Sequence, residues 1–376
     1  MRHINLRFPR TWNQCTASEL EQIAEITRDR LERADRYHPF NIQDVKLALF
    51  FLFAELTIVR PLYSNGKIDG YEVIRNCDMK WYHRLGRFFG IESALDNIAF
   101  PIQLWQLSYW INGELQAPVP EDSSSVKKKQ KVKSGIFDWL DSDNPNGLTF
   151  FPYPIVKRHK KETISIFNHQ ISIKSLRRKT FASPGSLFAT ASYQQYRTAQ
   201  DYMQLYTLLQ NKAIEDAKKN NSNAALSLRE RTGGKSLLEA KAKCLATIFN
   251  AKVEYIDEQT GMPQKGYHYT STQADDNFKY FLDFPDTKFQ VLLFWWSGIM
   301  RYLASKFPHV FKTTPIKKGE KSSSPLDIYT NSIAVLQKYT SQTEESLNKQ
   351  LHTVTLKDLD NMIRESEELE KISKKK

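Results

Sequence analysis

Cysteine is scarce and scattered in this chain: Cys15, Cys77 and Cys244 stand alone, with no CxxC spacing. That excludes a disulfide framework and a cysteine zinc site, and it favours a reducing compartment. Glycine and proline are also few, 14 and 15 in 376 residues, which excludes collagen-like and low-complexity classes. No apolar run approaches the roughly 20 residues of a membrane-spanning helix. The two longest, 47–53 and 291–300, are bounded by Lys46, Glu55, Lys288 and Arg301 and read as buried helices. Residues 1–10 hold three arginines and no apolar core of signal-peptide length, so neither secretion by that route nor membrane insertion is expected.

Catalytic patterns are missing as well. Eight histidines are present, but none falls in HExxH, HxxxH or a paired Cys-His spacing, so each reads as a structural residue rather than a ligand. Asp275, Asp276, Asp283 and Asp286 lack the alternate spacing and central glycine of a calcium loop. Gly234-Lys235-Ser236 looks like the end of a phosphate-binding loop. However, the first glycine of that motif would fall at Arg229 and no apolar strand precedes it. A flexible loop entering a serine-capped helix is the simpler reading. There is no GxSxG. The expectation is a protein without enzymatic activity, cofactor or metal.

What the chain does have is 40% apolar and 12% aromatic residues, enough for genuine cores in two or three domains. Thr16 with Glu19 forms a capping-box pattern ahead of a helix to about residue 34. Asn41 and Asp44 precede an almost wholly apolar helix through Leu56. Ile4, Leu6 and Phe8 alternate as a short strand, and Asn65-Gly66 is a hairpin turn. Two more helices are expected between Trp81 and Ile111, separated near Pro101.

Residues 116–135 turn abruptly to prolines, serines and five lysines, the composition of an unstructured linker. Beyond it, short strands are expected at 148–153, 163–167 and 171–173, with 158–161 as the turn between the first two. Helices are expected at 192–218, 236–250, 287–306, 325–339 and from Thr355 onward. The helix at 287–306 is apolar around too much of its circumference to lie on a surface. The expected fold is therefore mainly α with minor β: two helical domains, each with a short strand or hairpin element, joined by a disordered linker. The divisions are a first domain at 1–115, the linker at 116–135, a second domain at 136–311, and a polar linker with C-terminal helices at 312–376.

The formal charge is +12, and it belongs to the middle of the chain. Over 157–179, Lys157, Arg158, Lys160, Lys161, Lys174, Arg177, Arg178 and Lys179 face only Glu162, a formal +7. Such a field attracts a polyanion or an acidic protein face, although a charge run is also what an ordinary solvated surface looks like. Tyr193, Tyr196, Tyr202 and Tyr206 follow and suggest a stacking platform for single strands. Yet Tyr193, Tyr196 and Tyr206 share a helical stripe with Ala199 and Met203, the pattern of a core.

The run Ile4-Asn5-Leu6-Arg7-Phe8-Pro9-Arg10-Thr11-Trp12, followed by Thr16-Ala17-Ser18-Glu19-Leu20-Glu21-Gln22-Ile23-Ala24, resembles the start of uncharacterised proteins from phages and prophages of Bacteroidetes-type bacteria. Ala182-Ser183-Pro184 ahead of a tyrosine-rich helix, and the later Phe307-Pro308-His309-Val310-Phe311, resemble the second half of the same group. These proteins are similar in type to phage tail or virion-assembly accessory proteins, and they offer no catalytic residue to carry over. The resemblance implies a non-enzymatic protein acting in a bacterial host cytoplasm or in a virion, with other virion proteins of acidic surface as partners. The alternative is a nucleic-acid-binding accessory protein of a mobile element that uses the basic 157–179 segment.

Overall fold

A computed structural model describes residues 8–33, 39–88, 95, 98–115, 130–131, 135–141, 147–166, 169–219, 235–256, 261–312 and 325–373. The chain divides into two units, Met1–Gly147 and Leu148–Lys376. Most of the strand expected at 4–8, most of the 116–135 linker, the polar stretch 313–324 and the Gly234 loop lie outside the described residues.

In the first unit the Thr16 amide donates to the Glu19 carboxylate at 2.6 Å, and the Glu19 amide donates to the Thr16 hydroxyl at 3.2 Å. This capping box opens α1 (Ala17–Arg33). Asn41 accepts the Gln43 amide at 3.0 Å and opens α2 (Ile42–Phe53). Strands β1 (Leu56–Ser64) and β2 (Lys67–Arg75) meet at Asn65 and Gly66, whose φ values of 50° and 75° are those of a tight hairpin turn. After α3 (Trp81–Phe88), β3 (Phe100–Gln103) adds to β2 and leads into α4 (Leu104–Asn112). The two-residue strands β4 (Glu114–Leu115) and β5 (Gln130–Lys131) then pair.

The core of this unit is aromatic. The Phe50 ring stacks on Phe8 and Trp110 with centroids 5.7 and 5.6 Å away, and the buried Phe137 meets Phe8 edge-on at 5.9 Å. Residues 135–141 belong with this core. The Ile136 amide donates to the Trp110 carbonyl at 3.2 Å, and a Cβ on Gly135 would sit 2.0 Å from the Ile111 carbonyl oxygen. Lys46 of α2 is buried and ends on Asp141 at 2.6 Å.

The second unit is built on a long antiparallel hairpin, β6 (Ile155–Ile166) and β7 (His169–Ala182). Next come α5 (Tyr193–Lys219), α6 (Lys235–Ile248), β8 (Asn250–Ile256), β9 (Pro263–Tyr267), α7 (Ser271–Asn277) and α8 (Asp286–Lys306). Helices α9 (Pro325–Thr340), α10 (Glu344–Lys349) and α11 (His352–Ser373) follow. Helix α8 is the internal helix expected from its apolar circumference. It buries Phe289, Val291, Leu292, Trp295, Trp296, Ile299 and Leu303, with Trp295 edge-on to Phe151 at 4.5 Å and to Phe188 at 5.6 Å.

The expected fold class is corrected here. Among the described residues, antiparallel sheets of three, two and four strands accompany the helices, the largest in the order β6-β7-β8-β9. The protein is therefore a mixed α/β fold with sizeable sheets, not a mainly α fold with minor β. The reason is local chemistry: β6 continues through residues 158–161, which the sequence marks as a turn, and β8 and β9 are rich in polar residues. Consecutive polar residues from 157 to 162 occupy both faces of β6, so the apolar-polar alternation that marks a half-solvated strand is absent there. Conversely, residues 148–153 form no strand. They lie against α8, where a Cβ on Gly298 would come within 2.1 Å of the Leu148 carbonyl oxygen.

Candidate functional site: a basic β-hairpin

All eight basic residues of the 157–179 segment lie on β6 and β7. Antiparallel pairing sets Arg158 opposite Lys179, His159 opposite Arg178 and Lys161 opposite Lys174. Like charges directly opposed across a ladder repel, so the hairpin needs counter-charges from elsewhere.

The segment between α7 and α8 supplies one. Asp283 takes ion pairs from Arg158 and, at 3.1 Å, from Lys174. Arg158 also donates from Nε to the Tyr280 carbonyl at 3.2 Å and lies 5.4 Å from the Phe284 ring centroid. Lys179 donates to the Asn277 side-chain oxygen at 2.8 Å and stands 5.6 Å from the Tyr280 ring centroid. Burial tends to push the Asp283 carboxyl up, but hydrogen bonds and charge from Lys174 and Arg158 outweigh it and hold the group below the usual carboxylate range. Burial lowers the Lys179 ammonium, with Asp276 acting in the opposite direction. Arg158, Lys174 and Lys179 are thus tied to the fold of the unit itself.

The other cations are placed differently. Arg178 is exposed and donates from Nε to His159 Nε2 at 2.8 Å, while His159 Nδ1 lies 2.6 Å from the Ser175 carbonyl. This arrangement puts the imidazole hydrogen on Nδ1 and leaves Nε2 as the acceptor. The register shifts here, the partner residue moving from Arg178 at His159 to Lys174 at Lys161. Lys157 is exposed, Lys160 and Lys161 are half-buried, and the Arg177 side chain lies outside the described residues. Among the described residues neither Lys157 nor Lys161 has an ion-pair partner. The hairpin thus offers Lys157, Lys161 and Arg178 to whatever approaches it.

Of the four tyrosines, Tyr202 is half-buried and the other three pack in the core. Tyr193 and Tyr196 are buried, Tyr196 stacking on Trp296 at 6.0 Å, and Tyr206 meets Phe289 at 4.8 Å. The stripe with Ala199 and Met203 is core, as its spacing implied.

Among the described residues no group of three His, Cys, Asp or Glu side chains could hold a metal ion. Burial, then the Glu19 charge, pushes the Cys15 thiol up to about 12, and burial alone pushes Cys244 higher still. Both stay protonated and are poor nucleophiles. Asp283 is the functional neighbour that the sequence conceals: it lies 125 positions from Arg158, and no local pattern links the two. Compared with family models, curated proteins and solved structures, the chain matches none.

Proposed function

We propose that the protein is a non-enzymatic phage or prophage virion or tail-assembly protein that works through protein-protein contacts in a bacterial host cytoplasm. On this reading the outward cations of the β6-β7 hairpin dock an acidic face of a partner virion protein. The observation that carries the reading is the division of labour on the hairpin. Lys157, Lys161 and Arg178 stand on a paired antiparallel ladder, whereas Tyr193, Tyr196 and Tyr206, three of the four tyrosines that could have stacked bases, pack in the core. A rigid cationic ridge without stacking partners suits a preformed acidic surface, and it speeds encounter in a salt-sensitive way.

The experiment compares wild type with Lys157→Ala/Lys161→Ala/Arg178→Ala. The products of neighbouring genes should bind the wild type and associate roughly tenfold or more slowly with the variant at low salt. Single- and double-stranded DNA and RNA should bind weakly in a mobility titration near physiological salt. Submicromolar nucleic-acid binding abolished by the triple substitution would overturn the reading in favour of a nucleic-acid-binding accessory protein.

A further inference from the structure

We infer that the outer edge of β6 is a strand-addition site, which takes an extended acidic strand exposed on the partner and continues the sheet with it. The inference rests on the acidic-partner reading above and names the form in which that partner arrives. In the order β6-β7-β8-β9 the strand β6 is terminal. Among the described residues, Ile155–Ile166 make no backbone hydrogen bond beyond their pairing with β7. The segment 277–283 covers a face of the hairpin and not this edge: it meets Arg158 of β6 and also Lys179 and Phe181, which share one face of β7. Open edges are ordinarily blunted. The terminal strand β1 carries Pro61 and two register shifts, and β9 has five residues and begins at Pro263. In contrast, β6 has twelve residues with no proline or glycine. Its register irregularity sets Lys160 against 175–177, so the extra residues belong to β7 and the outer edge of β6 runs uninterrupted.

Charge selects the occupant. Lys157 and Lys161 stand four residues apart, roughly 13 Å along the strand, and neither has an ion-pair partner among the described residues. The spacing is even, so carboxylates at alternate positions of an added strand share one face and reach both lysines. Ile155, two residues before Lys157 and 60% exposed, offers the same strand an apolar contact. A second copy of β6 is excluded, because antiparallel pairing about residue 159 would set Lys157 against Lys161 in both directions. Lipid does not suit the edge either. Its open groups are backbone amides and carbonyls, which hydrocarbon cannot satisfy, and among the described residues no helix is long and apolar enough to cross a membrane.

The test titrates the full chain with an alternating Glu-Val octapeptide, the same peptide N-methylated at every residue, and an alternating Lys-Val octapeptide. Binding is read by fluorescence anisotropy of the labelled peptide and by amide hydrogen exchange over residues 155–161. The Glu-Val peptide should bind, should slow that exchange, and should lose on the order of tenfold in affinity on N-methylation, which removes its backbone donors. The Lys-Val peptide should not bind. Lys157→Ala/Lys161→Ala should weaken the Glu-Val peptide roughly tenfold at low salt with no change in melting temperature. Equal binding of the methylated peptide, or binding without protection of these amides, overturns strand addition while leaving an acidic face docked on side chains alone. Failure of the Glu-Val peptide to bind also overturns it, and the acidic-partner reading is then judged separately by the products of neighbouring genes. Protection of the same amides that rises with protein concentration in the absence of peptide assigns the edge to a second copy and overturns the inference too.

Discussion

Helices α3 and α8 look alike as strings of letters and behave as opposites in the fold. Each offers Trp, Leu and Phe at helical spacing, yet Trp295 is fully buried while Trp81 lies open. The difference comes from what surrounds them. Around α8 stand Phe151 and Phe188, together with a backbone approach so close at Gly298 that no side chain fits. Among the described side chains of α3 only His83 is buried. An aromatic stripe specifies that a surface will be covered, but not whether the cover belongs to the same chain.

The largest effect that would break this comparison is at Trp295. Its ring is enclosed by Phe151, Phe188 and Trp296, and its indole Nε1 has no hydrogen-bond partner, so its contribution is packing. Trp295→Ala should lower stability by about 3–5 kcal/mol, read as a shift in the midpoint of denaturant unfolding. An unchanged midpoint would mean that α8 is as open as α3.

That contrast also marks what the sequence made legible. The internal position of α8 followed from its apolar circumference, the α1 start from Thr16 and Glu19, and the β1-β2 turn from Asn65-Gly66, because each signal is local. The strands expected at 163–167 and 171–173 fall in the β6-β7 hairpin, but its continuation through the basic residues was not legible. Lysines and arginines fill β6 and β7 because Asp283, Asn277 and the Tyr280 carbonyl satisfy three of them from a distant part of the chain. The eight site residues could thus be named from composition, but not their division into inward and outward groups. The exposure of Trp81 and Leu85 on α3 was hidden for the same kind of reason: the periodicity is that of a core helix.

A smaller effect sharpens the comparison from the polar side. His352, at the start of α11, is fully buried beside the α8 core, with ring centroids 5.3 Å from Tyr196 and 5.8 Å from Phe188. Its Nδ1 lies 3.2 Å from the Ala191 carbonyl and its Nε2 has no partner. Burial lowers its pKa from the ordinary 6.5, with the Ala191 carbonyl opposing and no charged side chain contributing. The unfolded chain therefore binds this proton more readily than the folded one. Stability is complete above pH 6.5 and falls as the pH drops below it, by up to about 1.4 kcal/mol per pH unit, until the folded-state pKa is reached. Asp283 has the same sign, but its window opens only below 3.8, so unfolding measured between about pH 5 and 6.5 lies outside it. His352→Phe should flatten the slope there. A slope unchanged by that substitution would show that the proton enters elsewhere.

The smallest expected effect is the one that separates the two helices most cleanly. Trp81 exposes three quarters of its surface, so truncating it removes little buried area and leaves no cavity. Trp81→Ala should change the stability of the isolated protein by no more than about 0.5 kcal/mol, the range of surface substitutions. Set beside Trp295→Ala, the same chemical deletion then costs several-fold less, and the ratio measures how far each indole is covered by its own chain. A loss of about 2 kcal/mol or more at Trp81 would mean that the isolated protein already covers the α3 face, by self-association or otherwise. The same measurement repeated over a range of protein concentrations distinguishes these cases: a midpoint that rises with concentration identifies association, and one that does not places the cover within the chain.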